Sequence, residues 1–171
     1  AIVMEMTVYR LGGVIGLMSK GIPTLIEDIN LLHPTVLAAV PRVLQTIHSR
    51  VMEGLRNQCW LVQSIYNAAF KIKEMRLESN PKLIMPGYDE IFFKSIKDKF
   101  GGKLQIIISA GAPLTEEIAR FFRVVIVDAL FIGYGMTETT GMGLATRFEN
   151  GVHLDIIGRP YPTCMAKIKC V

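Results

Sequence analysis

Residues 104–136 constrain this chain more tightly than any other stretch, because they spell strand, helix and strand, with small residues where each strand ends. The apolar run 104–108 stops at Ser109, Ala110, Gly111, Ala112 and Pro113, a turn that leaves space beside the backbone. Thr115, Glu116 and Glu117 then make a good helix start. A hydroxyl stands at the N-cap, and acids occupy the first turn, where the helix dipole favours them. The helix is expected over residues 118–124. A second run, 124–132, is rich in β-branched and large apolar side chains, as a strand buried on both faces of a sheet should be. One helix between two strands is a parallel βαβ step, so both turns should fall at the carboxyl edge of the sheet. In open α/β sheets that edge binds ligands.

The second strand runs into Gly133, Tyr134, Gly135, Met136, Thr137, Glu138, Thr139, Thr140 and Gly141. This turn combines an aromatic ring, hydroxyls and one carboxylate with glycines, a composition that suits a nucleotide and its metal. Without β-carbons at Gly133 and Gly135, Tyr134 could lay its face on a base while the backbone stays close to sugar and phosphate. The Thr137 hydroxyl can donate to a phosphate oxygen, and Glu138 supplies the hard oxygen that Mg²⁺ prefers alongside phosphates. On composition alone, a Gly- and Thr-rich strand-to-helix connection with an exposed glutamate describes the same residues.

Elsewhere, a strand-and-turn region is expected around Gly12, Gly13, Gly16 and Gly21, followed by a helix over 25–32 and a strand over 35–40. Pro41 is well placed to open the next helix. Residues 41–79 read as helical with a break near 58–60. One apolar face runs through Val43, Leu44, Ile47 and Val51 and another through Ile65, Ala68, Ala69 and Ile72. Residues 80–88, with Pro81, Pro86 and Gly87, read as loop, and 89–100 as helix. Residues 166–171 read as an alternating strand. Strands alternating with helices give an α/β fold with a mainly parallel sheet and flanking helices.

Half of the 171 residues are hydrophobic and the mean hydropathy is +0.36, high for a soluble domain standing alone. That surplus suggests a piece of a larger protein, whose buried faces meet segments outside it. No apolar run is long enough for a membrane-spanning helix. The net charge of +4 and pI near 9.0 come from scattered basic residues. Lys71, Lys73, Arg76, Lys82, Lys94, Lys97, Lys99 and Lys103 alternate with Glu74, Glu78, Asp89, Glu90 and Asp98, the mixed look of solvated helix faces. Without aromatic-basic interleaving or zinc-ligand spacing, nucleic acid is not an expected partner. Weak attraction to anionic lipid, and so peripheral membrane association, fits the charge better. Cys59, Cys164 and Cys170 are an odd number without metal-ligand spacing, so reduced thiols in an intracellular protein are expected. His33, His48 and His153 lack a catalytic partner pattern and read as structural.

Read as Gly-Tyr-Gly-x-Thr-Glu-Thr, residues 133–139 resemble the nucleotide-binding signature of the adenylate-forming enzymes, the superfamily of acyl-CoA synthetases, firefly-type luciferases and peptide-synthetase adenylation domains. The turn 109–114 is similar to their Ser-Gly-Gly-Ala-Pro-Leu, with Ala110 a mild departure. Four further segments resemble the long-chain fatty acyl-CoA synthetase branch. Residues 34–44 look like its Pro-Thr-Val-x-x-x-Val-Pro-Arg-Val/Leu element, and 22–29 like its Leu-x-Glu-Asp-Ile helix. Residues 91–104 look like its Val-Phe-x-Lys-Ile-x-x-x-Leu-Gly-Gly-Arg-Leu, and 158–162 like its Gly-Arg-Pro-x-Pro, with Ile157 in place of Val. Glu5 falls where the branch has Glu-Arg after a His, though the His is missing and Met6 replaces the Arg.

The resemblance implies the layered large domain of that superfamily, truncated at both ends. It also implies ATP, Mg²⁺ and coenzyme A acting with a long-chain fatty acid, at the cytoplasm or a cytosolic membrane face. Thr137 would contact phosphate, Glu138 would hold Mg²⁺, and Tyr134 would stack on adenine within the signature that includes Gly133, Gly135 and Met136. Gly111, Ala112 and Pro113 would border the nucleotide and acyl pocket. A Ser/Thr/Gly-rich loop ending in Lys-Gly, a later Asp for the ribose and a carboxy-terminal domain with a catalytic Lys are not found here, so the 171 residues alone are expected to be inactive. Two other readings stand beside this one: an adenylating enzyme with a different acceptor, and a non-catalytic lipid-binding or scaffolding module.

Overall fold

The computed structural model describes residues 2–19, 21, 24–80, 83–127, 129–139, 141–146, 157–162 and 164–167, with side chains from Glu5 onward. Five strands form one sheet in sequence order: β1 Val36–Ala38, β2 Ile106–Ala110, β3 Ala129–Met136, β4 Gly141–Ala145 and β5 Arg159–Pro160. The β1–β2 and β2–β3 pairs are parallel. The β3–β4 and β4–β5 pairs are antiparallel. The fold is thus α/β with a parallel half, reached through helical crossovers, and an antiparallel half that the strand–helix alternation did not announce.

Helices supply the rest: α1 Ile2–Arg10, α2 Leu25–Leu32, α3 Pro41–Arg56, α4 Trp60–Ser79, α5 Pro86–Phe92, α6 Lys94–Asp98 and α7 Glu116–Phe121. Pro41 occupies the first turn of α3, where its missing N–H costs nothing. The face of Leu44, Ile47 and Val51 is buried as its spacing predicts. At the end of α2, His33 adopts a left-handed φ of 47° and its Nδ1–H donates to the Gly101 carbonyl oxygen at 2.8 Å, tying the start of β1 to the approach to β2.

Several expectations are corrected. The opening stretch is helix α1 rather than strand and turn, and it stops at Gly12, which takes the left-handed φ of +72° common just past a helix end. The strand over 35–40 is shorter, and the helix over 89–100 starts earlier and breaks at fully buried Phe93. Residues 124–126 are not the start of β3. Phe122–Ile126 continue α7 as a π-helical turn, closed by Val127 N–H donating to the Phe122 carbonyl oxygen at 2.9 Å. All five are buried, and a segment buried on every side shows the same unbroken apolar run whether helix or strand. Thr115 holds the N-cap position of α7 but its side chain makes no capping hydrogen bond. His153, Cys170 and residues 168–171 lie outside the described residues, while Ala166 and Lys167 belong to no strand. Cys59 is an exposed free thiol.

The inward face of α4 also differs. Ala69 is buried, but Ile65 and Ile72 are exposed, and Tyr66, Lys73 and Leu77 turn inward instead. Tyr66 packs edge-on against Phe93, centroids 6.0 Å apart. Lys73 and Asp89, read above as solvated, are only 3% and 4% exposed. They form a buried ion pair, joined by Lys97, whose Nζ lies 2.6 Å from Asp89 Oδ2. Burial pulls the Lys73 pKa below its usual value, while the Asp89 carboxylate pushes the other way. A helix with apolar side chains on two sides does not reveal by period alone which side turns in. Here the side carrying the Asp89 partner does.

Candidate functional site

The register of the parallel strands builds the candidate site. β2 ends at Ala110, and the residue beside it on β3 is Gly133. Paired strands lie about 4.8 Å apart, so the turn of Gly111, Ala112 and Pro113 and the segment from Tyr134 to Glu138 leave neighbouring strands at one edge. That is the carboxyl edge expected above. Gly111 turns the chain at φ +94°, a left-handed conformation that disfavours any side chain although the space around it is open. Gly111, Ala112 and Pro113 are exposed.

β3 changes character along its length. Ala129, Leu130, Ile132 and Gly133 are buried, while Tyr134 is 45% exposed. Between Tyr134 and Gly135 the register with β4 shifts, a bulge of the kind that re-aims side chains beside sites. The glycines here serve the chain itself. A β-carbon on Gly135 would lie 1.9 Å from the Gly141 carbonyl oxygen, and one on Gly133 would meet the Met142 side chain. What their missing β-carbons admit is strand β4, a correction to the reading that they open the ligand side.

Beyond Met136 the chain makes a single 3₁₀ turn, Thr137–Thr139. Thr139, not singled out from the sequence, organises it. Its Oγ1 accepts the Met136 N–H at 3.0 Å and donates to one of two carbonyl oxygens, Gly141 at 2.8 Å or Met136 at 2.9 Å. Such short-range hydroxyl bonding is the ordinary habit of Thr in turns and was the available signal. Met136, Thr137 and Glu138 are all exposed, and among the described residues neither the Thr137 hydroxyl nor the Glu138 carboxylate is engaged by another side chain. No group of three or more His, Cys, Asp or Glu able to hold a metal exists among the described residues. One exposed carboxylate fits a hard cation that arrives with phosphates and keeps its waters, not a cage made by protein alone. At the opposite edge, a shallow cleft before β2 is lined by Lys97, Gly102, Lys103, Leu104, Gln105 and Ile126, and none of the candidate residues reaches it.

The edge therefore offers a left-handed glycine turn, a half-exposed tyrosine, a threonine and a carboxylate from two adjacent parallel strands. The family model described as "AMP-binding enzyme" matches residues 1–169. This chain belongs to the AMP-binding enzymes. It is 34% identical over 173 residues to Long chain acyl-CoA synthetase 3 of Arabidopsis thaliana, an alignment covering 99% of this chain and 26% of that protein. It is 32% identical to Fatty acyl-CoA synthetase A of Dictyostelium discoideum, covering 92% of this chain and 23% of that protein. It is 38% identical over 145 residues to Long chain acyl-CoA synthetase 1 of Arabidopsis thaliana, covering 83% and 22%. This AMP-binding enzyme sequence thus spans about a quarter of the length of the curated relatives it matches.

Proposed function

We propose that the protein carrying this sequence is a ligase that activates long-chain fatty acids as coenzyme A thioesters at the expense of ATP. In the first step a carboxylate oxygen of the fatty acid attacks the α-phosphorus of ATP, the bond to the β-phosphate oxygen breaks, and pyrophosphate leaves with the bonding pair. In the second the coenzyme A sulfur attacks the acyl carbon, the bond from that carbon to the phosphate oxygen breaks, and AMP leaves as the thiol proton passes to solvent.

Each residue of the edge takes a role within this reading. Tyr134 lays its ring on adenine, with Gly133, Gly135 and Met136 as the backbone beside the ribose. Thr137 donates to a phosphate oxygen, and such donors aimed at developing charge are among the largest sources of rate enhancement. Glu138 holds Mg²⁺, which when bound offsets phosphate charge as a Lewis acid. Gly111, Ala112 and Pro113 border the nucleotide and the acyl group. The observation that carries the reading is the pairing of Ala110 with Gly133, which sets both turns side by side. The names of the relatives favour a fatty acid as the substrate. The 171 residues form part of an adenylation domain, do not turn over alone, and act in a cytoplasmic protein that touches a membrane surface peripherally.

The test is exchange of labelled pyrophosphate into ATP by the full-length protein. It should require a long-chain fatty acid and fall roughly ten- to a hundredfold in Glu138→Gln. Exchange driven by amino acids and not by fatty acids, or a Glu138→Gln variant as active as the parent, would refute the assignment.

A further inference from the structure

Helix α4 has two apolar faces, and the described residues cover one of them. Tyr66, Ala69, Leu77 and the Lys73 ion pair fill the inner one. On the other side Leu61, Ile65, Ala68, Ile72 and Met75 recur at alternating intervals of four and three residues, so they form one stripe along the helix. The large members of that stripe are between 41% and 52% exposed, and Trp60 at the first position is 76% exposed.

The charges around the stripe are mainly basic. At 100° per residue, Lys71 and Arg76 fall on its two flanks, on the exposed half of the helix. Glu74 falls away from it, where it pairs with Arg120 of α7 at 3.0 Å, while Glu78, in the last turn of the helix, lies on the same flank as Lys71. An exposed apolar stripe with cations on its flanks and a tryptophan beside it in the first turn is the pattern of a helix that lies in a membrane interface, its rings at headgroup level and its cations on anionic lipid. The described helices include none long and apolar enough to cross a membrane, so contact through α4 would be in the plane of the surface.

We propose that the outer face of α4 is the docking surface of this protein for anionic lipid bilayers. This inference rests on the functional reading above, since a fatty acid substrate dissolves in such a surface, and it names the face that makes the contact. Leu61, Ile65, Ile72 and Met75 enter the acyl boundary, while Lys71 and Arg76 meet lipid phosphates.

Co-sedimentation of the full-length protein with phosphatidylcholine vesicles, with and without phosphatidylserine, tests it. The double variant Ile65→Ser, Ile72→Ser should lose roughly tenfold or more in vesicle partitioning, because each removes apolar area from the lipid contact. Lys71→Glu, Arg76→Glu should abolish the preference for phosphatidylserine. Both variants should retain thermal stability and the pyrophosphate exchange rate with detergent-dispersed fatty acid, which separates failure of this surface from failure of the ligase assignment. Vesicle binding unchanged in both variants would overturn the proposal. So would slow hydrogen exchange with a lowered Tm in the lipid-free serine variant, which would mean that chain outside these residues already covers the stripe.

Discussion

Along β3 a single strand passes from one kind of environment to another. At Leu130 and Ile132 it is buried, paired with β2, and part of one core with side chains such as Phe122, Val125 and Ile107 that solvent does not reach. Two residues later, at Tyr134, it is half exposed, bulged, and followed by a turn held by one threonine hydroxyl. The parallel half supplies position and the antiparallel edge supplies functional groups. Rigid elements aim side chains more closely than loops do, which explains why the exposed turn begins at the end of the most buried strand. Changes in the first region should therefore show in stability, and changes in the second in activity.

The largest expected effect breaks the rigid half. Asp89 accepts from Lys73 and Lys97 in a site only 4% exposed, so Asp89→Ala leaves the Lys73 ammonium buried without a counterion. Losing one partner of a buried pair costs about 3–5 kcal/mol. Urea unfolding should show that loss, and a cost below about 1 kcal/mol would mean that water reaches the pair. The consequence for the active edge should be indirect only: at temperatures where the variant remains folded, KM for ATP should be unchanged.

Next comes the junction between the two regions. Gly135→Val places a β-carbon where the Gly141 carbonyl oxygen stands, at 1.9 Å, and backbone cannot yield as a flexible side chain can. The hairpin must open by an ångström or more, and displacement of that size costs on the order of a hundredfold in rate. Pyrophosphate exchange should fall by about that factor, with a smaller drop in the urea midpoint than Asp89→Ala produces. Gly133→Ala meets only the Met142 side chain, which can swing aside, and should be much milder.

These two regions also differ in how far the sequence revealed them. The edge was legible because its residues are unusual for their positions: glycines, a tyrosine and an acid where a buried strand ends. Pro41 and the spacing of Leu44, Ile47 and Val51 fixed α3 for the same reason. The core was harder where composition is uniform. Val124, Val125 and Ile126 suit a strand and a buried helical turn equally, and the choice depends on the π turn packing against α4 and α6, which no local pattern records. Lys73 and Asp89 looked solvated because burial of a charge depends on a partner 16 residues away. Thr139 was missed because its work is bonding to backbone, which leaves no pattern of side chains.

A smaller effect separates the two regions within the turn itself. Thr137→Ala removes an exposed hydroxyl that holds nothing else in place, so stability should stay within about 0.5 kcal/mol of the parent while kcat/KM falls roughly tenfold. Thr139→Ala should do more to the fold of the turn, because it strips the acceptor from Met136 N–H and a donor from the Gly141 or Met136 carbonyl. If the two variants behave alike, the division between holding the turn and acting from it is wrong.

The smallest effect lies in the helical layer and is read from its pH dependence. His48 of α3 meets Phe121 of α7 edge to face, centroids 4.7 Å apart. Burial lowers its pKa below 6.5, partly opposed by the Glu117 carboxylate. A histidine with a lowered value stays neutral in the folded chain while the unfolded chain takes up a proton. Stability from this group is therefore present above pH 6.5 and is lost as the pH falls below it through the folded value. His48→Phe keeps the ring contact and removes the proton, so its urea midpoint should fall less steeply than the parent's on acidification below pH 6.5, with the two curves running parallel above it. A steeper fall in the variant would mean that the attraction of Glu117 outweighs burial, and that the α3–α7 contact is held by charge as well as by rings.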